Sequence, residues 1–550
     1  MNTIQRRDFL KLAGLGALGA LAFPRVGKAE APVFQDLEKS KPNIVVVLVD
    51  DMGFADLGCY GSEIPTPHLD ALAANGLRFT QFYNTARCCP TRASLLTGLY
   101  PHQAGVGHMT EDKGEPGYQG HLNDRCVTIA EALRPAGYFT IMSGKWHVGQ
   151  GAGVAPWTRG FDRSLNAAAG GFYFPDSPRT ELFLNGEPAG RRGGKLPEQW
   201  YSTDLWTDFG IKFIDEALAA KKPFYLHLCH NAPHFPLQAP QDEILKFRGK
   251  YKIGWDKLRL QRHAKQLAMG LMDKAWALAP RPEQVKAWES LTVAEQEHFD
   301  HIMAIYAAVV SHMDAAVGRL VAALKQRGVL ENTLIMFMSD NGANAESGPN
   351  GKLIGNPPGG PQSDVFEGQS WATLSNTPLR RYKHFNHEGG ISTPLIVHWP
   401  AQVKTPGEFR QQPGHLVDIM ATCVDVAGAQ YPAEFKGQAI QPMEGRSLVP
   451  AFANKPIERE ALYWEHEGNA AIRVGDMKLV RLGANGAWEL YDLKADRTEQ
   501  HDLAAQKPEL AKELAAKWDA WAERCNVKHK AGAANAGGGK KKKKKNKNAG

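Results

Sequence analysis

The chain has 550 residues, of which 43% are hydrophobic and 22% charged, with 55 glycines and 34 prolines. This balance is typical of a globular protein and argues against a disordered, collagen-like or disulfide-scaffold chain. The formal charge of +7 comes from the two ends, because residues 531–550 hold seven lysines and residues 1–29 carry a net charge of +4. The body between them is therefore mildly acidic, and a function in nucleic-acid binding loses its main support.

The N-terminal residues predict export. Arg6-Arg7-Asp8-Phe9-Leu10 precedes an apolar stretch over 12–23 and the small-residue exit Gly27-Lys28-Ala29, which together resemble a bacterial twin-arginine export signal. The alternative is a plain amphipathic helix. The apolar stretch is too short to span a bilayer, which needs roughly 20 residues. We therefore expect residues 1–29 to be an export signal read by the twin-arginine machinery. The mature protein is expected to be periplasmic or secreted, exported after folding and not stably inserted in a membrane.

Four segments share one pattern, in which an apolar run stops abruptly at polar residues. Such runs are typical of strands buried on both faces of an α/β sheet that helices cover. Because ligands bind beyond the carboxyl ends of such strands, the four ends predict one convergent site. The segments are Ile44–Val49 before Asp50 and Asp51, Tyr138–Met142 before Gly144, Lys145, Trp146 and His147, Phe224–Leu228 before His230, Asn231 and His234, and Leu334–Met338 before Asp340 and Asn341.

Between these strands the sequence predicts helices and one long loop. Thr292-x-x-Glu295 is typical of a capping box, and the periodic stretch that it opens runs to Arg327 with Gly328 as a stop. Residues 343–376 are rich in Gly, Pro, Ser and Asn, and a loop of this length inside a compact domain is usually functional.

The last part of the chain predicts a second, smaller domain. Short strand-like segments begin at about residue 456 and are followed by a helix over 508–525. We therefore expect a main domain over residues 30–455 and an α+β domain over 456–530. The Gly-rich and Lys-rich residues 531–550 cannot form a core and are expected to be disordered.

Residues 88–98 read Cys-Cys-Pro-Thr-Arg-Ala-Ser-Leu-Leu-Thr-Gly. Pro90 suits the first turn of a helix and Gly98 suits its exit. Cys88 is therefore predicted at the helix N-terminus, where unpaired N–H groups and the helix dipole favour an anion, and Arg92 falls beside it. The segment indicates an oxyanion site with a sulfur nucleophile or the precursor of one.

Two structural alternatives stay open for these cysteines: a strained vicinal disulfide between Cys88 and Cys89, or a buried pair of thiols. The chain has seven cysteines, and an odd number forbids complete pairing. His227, His230 and His312 are expected to be structural.

The sequence Cys88-x-Pro90-x-Arg92 followed by Ala-Ser-Leu-Leu-Thr-Gly resembles the signature of the sulfatase family. The resemblance covers nearly the whole mature chain. It implies an α/β fold, the alkaline-phosphatase-like sandwich with a large, mostly parallel central sheet flanked by helices, plus a smaller C-terminal α+β domain. The other segments that resemble the family, in its order, are Asp50-Asp51-x-Gly53, Gly144-Lys145-Trp146-His147, Ala232-Pro233-His234-Phe235-Pro236, Ser339-Asp340-Asn341-Gly342 and Lys383 in Arg380-Arg381-Tyr382-Lys383-x-x-x-x-Glu388-Gly389-Gly390.

The resemblance also implies a mechanism. A maturation enzyme oxidises Cys88 to formylglycine, whose hydrate attacks sulfur with one hydroxyl and expels sulfate when the second is deprotonated. Arg92 holds the hydrate, Lys145 and Lys383 bind sulfate oxygens, and His147 takes the proton during release. His234, with Lys383, protonates the leaving alcohol or phenol.

The resemblance implies one metal ion as well, bound by Asp50, Asp51, Asp340, Asn341 and the modified Cys88. These acid and amide side chains offer only oxygen, which suits a hard cation. We expect Ca²⁺, with Mg²⁺ as the alternative and Zn²⁺ excluded by the donor type.

The leading prediction is therefore an arylsulfatase-like enzyme that acts on a sulfate ester of a small molecule or a glycan. A phosphate or phosphonate monoester hydrolase on the same framework is the nearest alternative, but a dianionic phosphate favours a second metal and the sequence offers one set of ligands. A non-catalytic binder of sulfated glycans, in which Cys88 stays a thiol, is the alternative from another class.

Overall fold

A computed structural model describes residues 41–151, 153–177, 180–190 and 194–528. The expected export signal and the lysine-rich tail lie outside the described residues. The strands are β1 Asn43–Val49, β2 Leu77–Tyr83, β3 Phe139–Lys145, β4 Arg163–Ala167, β5 Leu182–Leu184, β6 Glu187–Pro188, β7 Phe224–Cys229, β8 Thr333–Ser339, β9 Lys352–Ile354, β10 Asp364–Phe366, β11 Ser392–His398, β12 Phe409–Arg410, β13 Gly414–His415, β14 Glu434–Phe435, β15 Gln438–Ala439, β16 Leu462–His466, β17 Asn469–Val474, β18 Met477–Arg481 and β19 Trp488–Asp492.

Two of the α-helices begin at a capping box. Thr128 and Thr292 each form a capping box with the glutamate three residues later. The α-helices are α1 Pro67–Ala74, α2 Cys88–Thr97, α3 Ile129–Leu133, α4 Ser202–Ala219, α5 Gln241–Leu245, α6 Trp255–Ala268, α7 Val293–Gln326, α8 Gly368–Ser375, α9 Glu388–Ile391, α10 Val417–Ala427, α11 Val449–Phe452 and α12 Pro508–Arg524.

One mixed sheet forms the centre of the protein. Its strand order is β12-β2-β11-β8-β1-β7-β3-β4-β5-β6, and β13 pairs with β2. The central strands β8, β1, β7, β3 and β4 run parallel, whereas β11 at one flank and β5 and β6 at the other pair antiparallel. The four strands predicted from the sequence are β1, β3, β7 and β8. Because these four are adjacent and parallel, the polar residues that follow them lie at one edge of the sheet.

Helices cover both faces of this sheet, so the apolar side chains of one strand enter two cores. Val45, Val47 and Val49 of β1 face a core that includes α1, α4 and α7. Ile44, Val46 and Leu48 face a second core that includes α2, α3 and α10. This alternation with a period of two explains why the strand is apolar throughout, and it confirms the predicted α/β layers.

Helix α7 is long and apolar enough to cross a membrane by length and composition, and 61% of its most apolar window is buried inside the protein. The helix contributes Phe299, Met313 and Leu320 to the first core. Its apolar character is therefore accounted for by packing beneath the central sheet.

The C-terminal part forms a second, smaller sheet, with the antiparallel order β16-β17-β18-β19. Helix α12 packs on one side of it through Leu514, Trp518 and Trp521. The other side meets residues of the main layers, because Leu462 and Trp464 share a buried cluster with Tyr83. The smaller C-terminal α+β layer predicted from the sequence is thus present.

Two expectations from the sequence were wrong in detail. Residues 343–376 are not one continuous loop, since they contain the hairpin of β9 and β10 and the buried helix α8. Strand β3 does not end at Met142 but continues through Lys145. Gly144 allows this continuation, because its φ of +119° is accessible to glycine and because a Cβ there would lie 1.9 Å from the Cys229 carbonyl oxygen of β7.

We expect Gly144→Ala to lower the urea-unfolding midpoint further than Gly137→Ala does. Gly137 also has a positive φ, of +91°, but a Cβ there would have no neighbour within 4 Å. The control variant therefore bears only backbone strain, of order 1–3 kcal/mol, whereas Gly144→Ala must also separate β3 from β7. Equal midpoints for the two variants would contradict this explanation.

Candidate active site

The two predicted metal-binding pairs meet at the carboxyl ends of adjacent strands. Asp50 and Asp51 follow β1, and Asp340 and Asn341 follow β8. The Asp51 backbone N–H donates to Asp340 Oδ1 at 3.3 Å, and Asn341 Nδ2 donates to Asp51 Oδ1 at 2.7 Å. All four side chains are buried, so the parallel pairing of β1 and β8 alone brings the set together.

Two buried cations approach these carboxylates from other elements. Lys145, the last residue of β3, places its Nζ 2.5 Å from Asp50 Oδ2. Arg92 of α2 donates to Asp340 Oδ2 at 2.8 Å and lies 3.4 Å from Asp50 Oδ2. A second nitrogen of Arg92 donates to the Lys145 carbonyl oxygen at 2.9 Å, which ties the helix to the end of β3.

A third cation, Lys383, lies opposite Asp51. Its Nζ is 2.9 Å from Asp51 Oδ1 and 3.0 Å from Oδ2. Asn344 donates to Asp51 Oδ2 at 2.9 Å and to Glu346 Oε2 at 3.0 Å. Every predicted site residue that is a Lys, Arg, Asp or Asn therefore belongs to one buried cluster, in which three carboxylates face three cations.

Burial and neighbouring charge set the protonation of this cluster. Burial alone disfavours the charged form of Asp50, but Lys145, His234 and Arg92 hold its pKa well below the usual range. Burial and the neighbouring Asp50 charge raise the pKa of Asp340. The pKa of Lys383 is raised, against the effect of burial, by Asp51 and other neighbouring anions. The carboxylates therefore depend on nearby positive charge.

Cys88 begins helix α2 at this cluster. Gly98 ends the helix in the left-handed region, with φ of +71°, as the sequence predicted. Cys88 is buried, and its sulfur, the Cys89 sulfur and one His147 nitrogen lie within 4.8 Å of one another. A hydrogen bond from Cys89 and the nearby Lys145 and His147 lower the pKa of Cys88. All seven cysteines are free thiols, so the alternative of a vicinal disulfide is not realised.

His147 is held in its neutral form. Burial and the adjacent Lys145 charge lower its pKa to about 4. Its Nδ1 is buried and has no hydrogen-bond partner among the described residues. A neutral imidazole with an available nitrogen, close to Cys88, can accept a proton at neutral pH.

His234 follows β7 and lies beside the cluster at Asp51. Its Nε2 lies 3.6 Å from Asp51 Oδ2. The imidazole stacks on Phe235 at 4.2 Å between ring centroids, and Phe235 stacks on Phe366 at the same distance. Burial lowers the pKa of His234, while Asp51 opposes that shift. The aromatic stack fixes the ring plane of His234.

The other histidines lie apart from this chemistry. His227 and His230 are buried, and burial lowers the pKa of each to about 3. His312 bonds to Asp204 and Glu243, both at 2.9 Å. That these three histidines are structural stays a prediction.

The donor set fits a hard cation. Asp50 Oδ1 and Asn341 Oδ1 are buried, and neither has a hydrogen-bond partner among the described residues. Unpaired buried oxygens are costly unless something compensates them. Asp50, Asp51, Asp340 and Asn341 present carboxylate and amide oxygens, which Ca²⁺ and Mg²⁺ prefer. An ion bound there would also relieve the repulsion between Asp50 and Asp340.

Sequence reasoning missed several residues around the cluster. Asn344 lies three residues after Asn341 and bonds to Asp51, and its proximity to the Asp340-Asn341 pair was the available signal. Phe366 belongs to β10, and Glu467 to the turn between β16 and β17. Nothing local in the sequence predicts the position of either of these last two.

Comparison with known proteins agrees with this geometry. Residues 42–429 match the sulfatase family, and residues 381–523 match the C-terminal region of N-sulphoglucosamine sulphohydrolase. The chain is 35% identical to an uncharacterized sulfatase of Schizosaccharomyces pombe, over 88% of this chain and 93% of that protein. It is also 35% identical to an arylsulfatase of Klebsiella aerogenes, over 77% of this chain and 95% of that protein.

Solved structures show the same architecture. The structure of Ps i-CgsB in complex with k-i-k-neocarrahexaose is 27% identical, with a TM-score of 0.67, over 90% of this chain and 96% of that one. The phosphonate monoester hydrolase of Agrobacterium radiobacter is 21% identical, with a TM-score of 0.54, over 88% and 96%. The latter similarity shows the fold alone, the alkaline-phosphatase-like sandwich.

Proposed function

Because this chain belongs to the sulfatase family and is a sulfuric ester hydrolase, we propose the following roles for its residues in releasing sulfate from an alcohol or phenol. The observation that carries the proposal is the position of Cys88. It lies at a helix N-terminus, within 4.8 Å of a His147 nitrogen, and the Cys89 hydrogen bond and the Lys145 charge lower its pKa. Arg92 and Lys145 pair with the carboxylates beside it. A buried thiol so surrounded by cations is placed to act on an anionic ester.

The formylglycine made from Cys88 would supply, as its hydrate, one hydroxyl that attacks sulfur and a second whose deprotonation expels sulfate. His147 is the base for that deprotonation, because its pKa of about 4 leaves it unprotonated at neutral pH. Arg92 lies four residues after Cys88 in the same helix, and its hydrogen bonds to Asp340 and to the Lys145 carbonyl oxygen fix its position. Its proposed role is to hold the hydrate at position 88.

Lys145 and Lys383 bind the sulfate oxygens. Both ammonium groups are buried and paired with carboxylates, and the raised pKa of each keeps it charged. Fixed positive charge in a water-poor site stabilises the charge that develops on the sulfuryl oxygens. Each lysine is therefore held in place by an aspartate and available to the substrate at the same time.

His234 protonates the leaving oxygen. Its Nε2 faces Asp51 at 3.6 Å, which favours the protonated form against the effect of burial. General acid catalysis of this kind contributes typically about 10²–10⁴-fold. Lys383 lies beside the same Asp51 and supports the transfer by stabilising the negative charge on the leaving oxygen.

The resident cation is calcium in our proposal, held by Asp50, Asp51, Asp340, Asn341 and the modified residue 88. When bound, it supplies positive charge for the nucleophile oxygen and for one sulfuryl oxygen. The three aspartates face Lys145, Arg92 and Lys383, and a divalent ion adds further positive charge to this cluster. A monoanionic sulfate ester is attracted to such a site.

The arylsulfatase of Klebsiella aerogenes supports an aryl sulfate as the first substrate to test. The structural neighbour bound to an oligosaccharide supports a glycan sulfate as the second. In both, the ester sulfate would occupy the same cluster, and the rest of the molecule would extend past His234.

We expect Cys88→Ala to lower kcat/KM for 4-nitrophenyl sulfate by at least about 10³-fold, because a covalent mechanism loses its nucleophile. Cys89→Ala is the matched control, since Cys89 is an adjacent buried thiol without a catalytic role. Mass spectrometry of the peptide from the wild-type chain should show an aldehyde in place of the thiol at Cys88 only. An unmodified Cys88 in fully active enzyme would refute the proposed nucleophile.

We expect Ca²⁺ to raise the thermal unfolding temperature of the chelator-treated protein more than Mg²⁺ at the same free concentration. A ligand at 100 times its Kd adds about 2.7 kcal/mol to the free energy of unfolding. Asn341→Ala should remove most of the calcium effect, because it deletes a buried oxygen that no described residue contacts by a hydrogen bond. A larger shift with Mg²⁺ would contradict the assignment of calcium and identify magnesium as the ion of this site.

The proposal that this protein is exported rests on residues 1–29. Its proposed partners in the source cell are the twin-arginine machinery and a formylglycine-generating enzyme. Folding before export would let Cys88 be oxidised in the cytoplasm. We expect Arg6→Lys with Arg7→Lys to retain the protein in the cytosol, whereas Arg25→Lys, outside the pair, should leave export unchanged. Cytosolic wild-type protein after cell fractionation would overturn the proposal.

A further inference from the structure

An aromatic stack begins at His234, the residue proposed above to protonate the leaving oxygen. The ring of Phe235 lies 4.2 Å from that of His234 at an interplanar angle of 25°, and Phe366 lies on Phe235 at the same distance and angle. Both phenylalanines are half-buried. Near-parallel contact between flat rings restricts the rotation of each ring in the stack.

The hydrogen bonds of His234 do not by themselves fix the plane of its ring. Its Nδ1 donates to the Phe235 carbonyl oxygen, and its own carbonyl oxygen accepts from the Tyr173 hydroxyl at 2.8 Å. A single hydrogen bond fixes one ring atom, but the ring can still tilt about that atom. The position of Nε2, which lies 3.6 Å from Asp51 Oδ2, therefore depends on the stack as well.

Phe235 also lies against the second group proposed to act on the leaving oxygen. The Nζ of Lys383 is 5.4 Å from the centre of the Phe235 ring, which is within the range of a cation–π contact. A shift of the Phe235 ring would therefore disturb both His234 and Lys383.

Phe366 is the end of the stack that the fold holds in place. It is the last residue of β10, and Val365 before it is fully buried in the first core. The Val365 carbonyl oxygen accepts from the Leu237 N–H at 2.8 Å, which joins β10 to the segment that follows Phe235. On the other strand of the hairpin, Lys352 pairs with Phe366, and its Nζ lies 5.5 Å from the ring centre. Phe366 therefore supports Phe235 from a fixed strand.

We propose that Phe366 is a positioning residue for protonation of the leaving oxygen. It holds the His234 ring through Phe235, and this support lets the enzyme act on sulfate esters of weakly acidic phenols and alcohols. The proposal rests on the role of His234 as the acid in the proposed function.

The chemical step shows why the position of this ring matters. The bond between sulfur and the leaving oxygen breaks as the nucleophile oxygen bonds to sulfur, and the electron pair stays on the leaving oxygen, which takes the proton from His234 Nε2. A general acid must lie within about 2.6–3.2 Å of the atom that it protonates. A misplacement of about 1 Å can cost about 10²-fold in rate.

The need for this proton depends on the leaving group. The 4-nitrophenolate ion is a stable anion that can leave without a proton, whereas 4-methoxyphenolate is far more basic and requires one. A residue that only stabilised the fold would lower the rate with both esters alike. A residue that positions the acid lowers the rate most with the basic leaving group.

The test compares kcat/KM for 4-nitrophenyl sulfate and 4-methoxyphenyl sulfate, using the full-length enzyme matured at Cys88 with excess calcium. We expect Phe366→Ala to lower kcat/KM for the methoxy ester at least about tenfold more than for the nitro ester, as a part of the 10²–10⁴-fold that a general acid contributes. Phe366→Leu keeps the apolar packing without a flat ring and should show the same bias. Phe366→Tyr keeps the ring and should restore the wild-type ratio.

Phe183→Ala is the matched control. Phe183 is a half-buried phenylalanine on the three-residue strand β5, and its ring pairs with Trp157 at 5.5 Å between centroids. This variant should leave the ratio of the two substrates unchanged. His234→Ala should show the bias in full, and adding Phe366→Ala to it should not change the ratio further, because residues that act through one another are not additive.

The outcomes separate the role of Phe366 from that of His234. Equal losses with both substrates in Phe366→Ala and Phe366→Leu, beside a clear bias in His234→Ala, would overturn the role of Phe366 and leave that of His234 intact. No bias in His234→Ala would overturn the acid role on which the proposal rests. A bias in Phe183→Ala, or a further change of the ratio in the double variant, would identify a general loosening of the fold and overturn the proposal.

Discussion

The constraint on which the rest of the site depends is the burial of three carboxylates at the ends of two adjacent strands. Asp50, Asp51 and Asp340 are all at most 1% exposed. A buried charge whose partner is removed typically costs about 3–5 kcal/mol. Each carboxylate must therefore be matched, and the matching groups are the cations that the chemistry uses. In the proposed mechanism, stability and catalysis are thus served by the same contacts.

This requirement explains why the catalytic groups come from so many elements. Lys145 ends β3 and Arg92 lies in α2, so each is held by an element that packs in one of the two main cores. Lys383 instead lies on a segment without a strand of its own. Its position depends on the ion pair with Asp51 and on the contacts made by the residues that follow it.

The C-terminal sheet holds that segment. Lys478 of β18 is buried and pairs with Glu388 at 2.9 Å and Glu499 at 2.8 Å. Glu388 also accepts a hydrogen bond from the Tyr83 hydroxyl of β2 at 3.0 Å. Glu388 lies five residues after Lys383, at the start of α9. The smaller sheet therefore helps to position the active site. If this sheet separated from the main sheet, Lys383 would be displaced.

The sequence predicted those parts of the site that local rules control. Asp50 and Asp340 could be found because each follows the end of an apolar run, and Cys88 because proline and glycine mark the limits of its helix. Lys383 needed the family resemblance, since no strand or cap points to it. Glu467 could not be found, because a turn of the C-terminal sheet reaches the site only after long-range packing. Gly144 looked like the end of a strand, although its backbone continues β3 in a conformation open to glycine.

The two histidines proposed as base and acid differ in the charges around them. Burial lowers the pKa of both His147 and His234, so burial alone cannot distinguish them. The largest charge effects differ, because Lys145 adds to the lowering of the His147 pKa, whereas Asp51 opposes the lowering of the His234 pKa. This difference supports the proposed roles of His147 as base and His234 as acid. Lys145 and Asp51 also belong to the buried cluster of carboxylates and cations. The proposed assignment of base and acid therefore depends on the same contacts that hold the carboxylates at the ends of the strands.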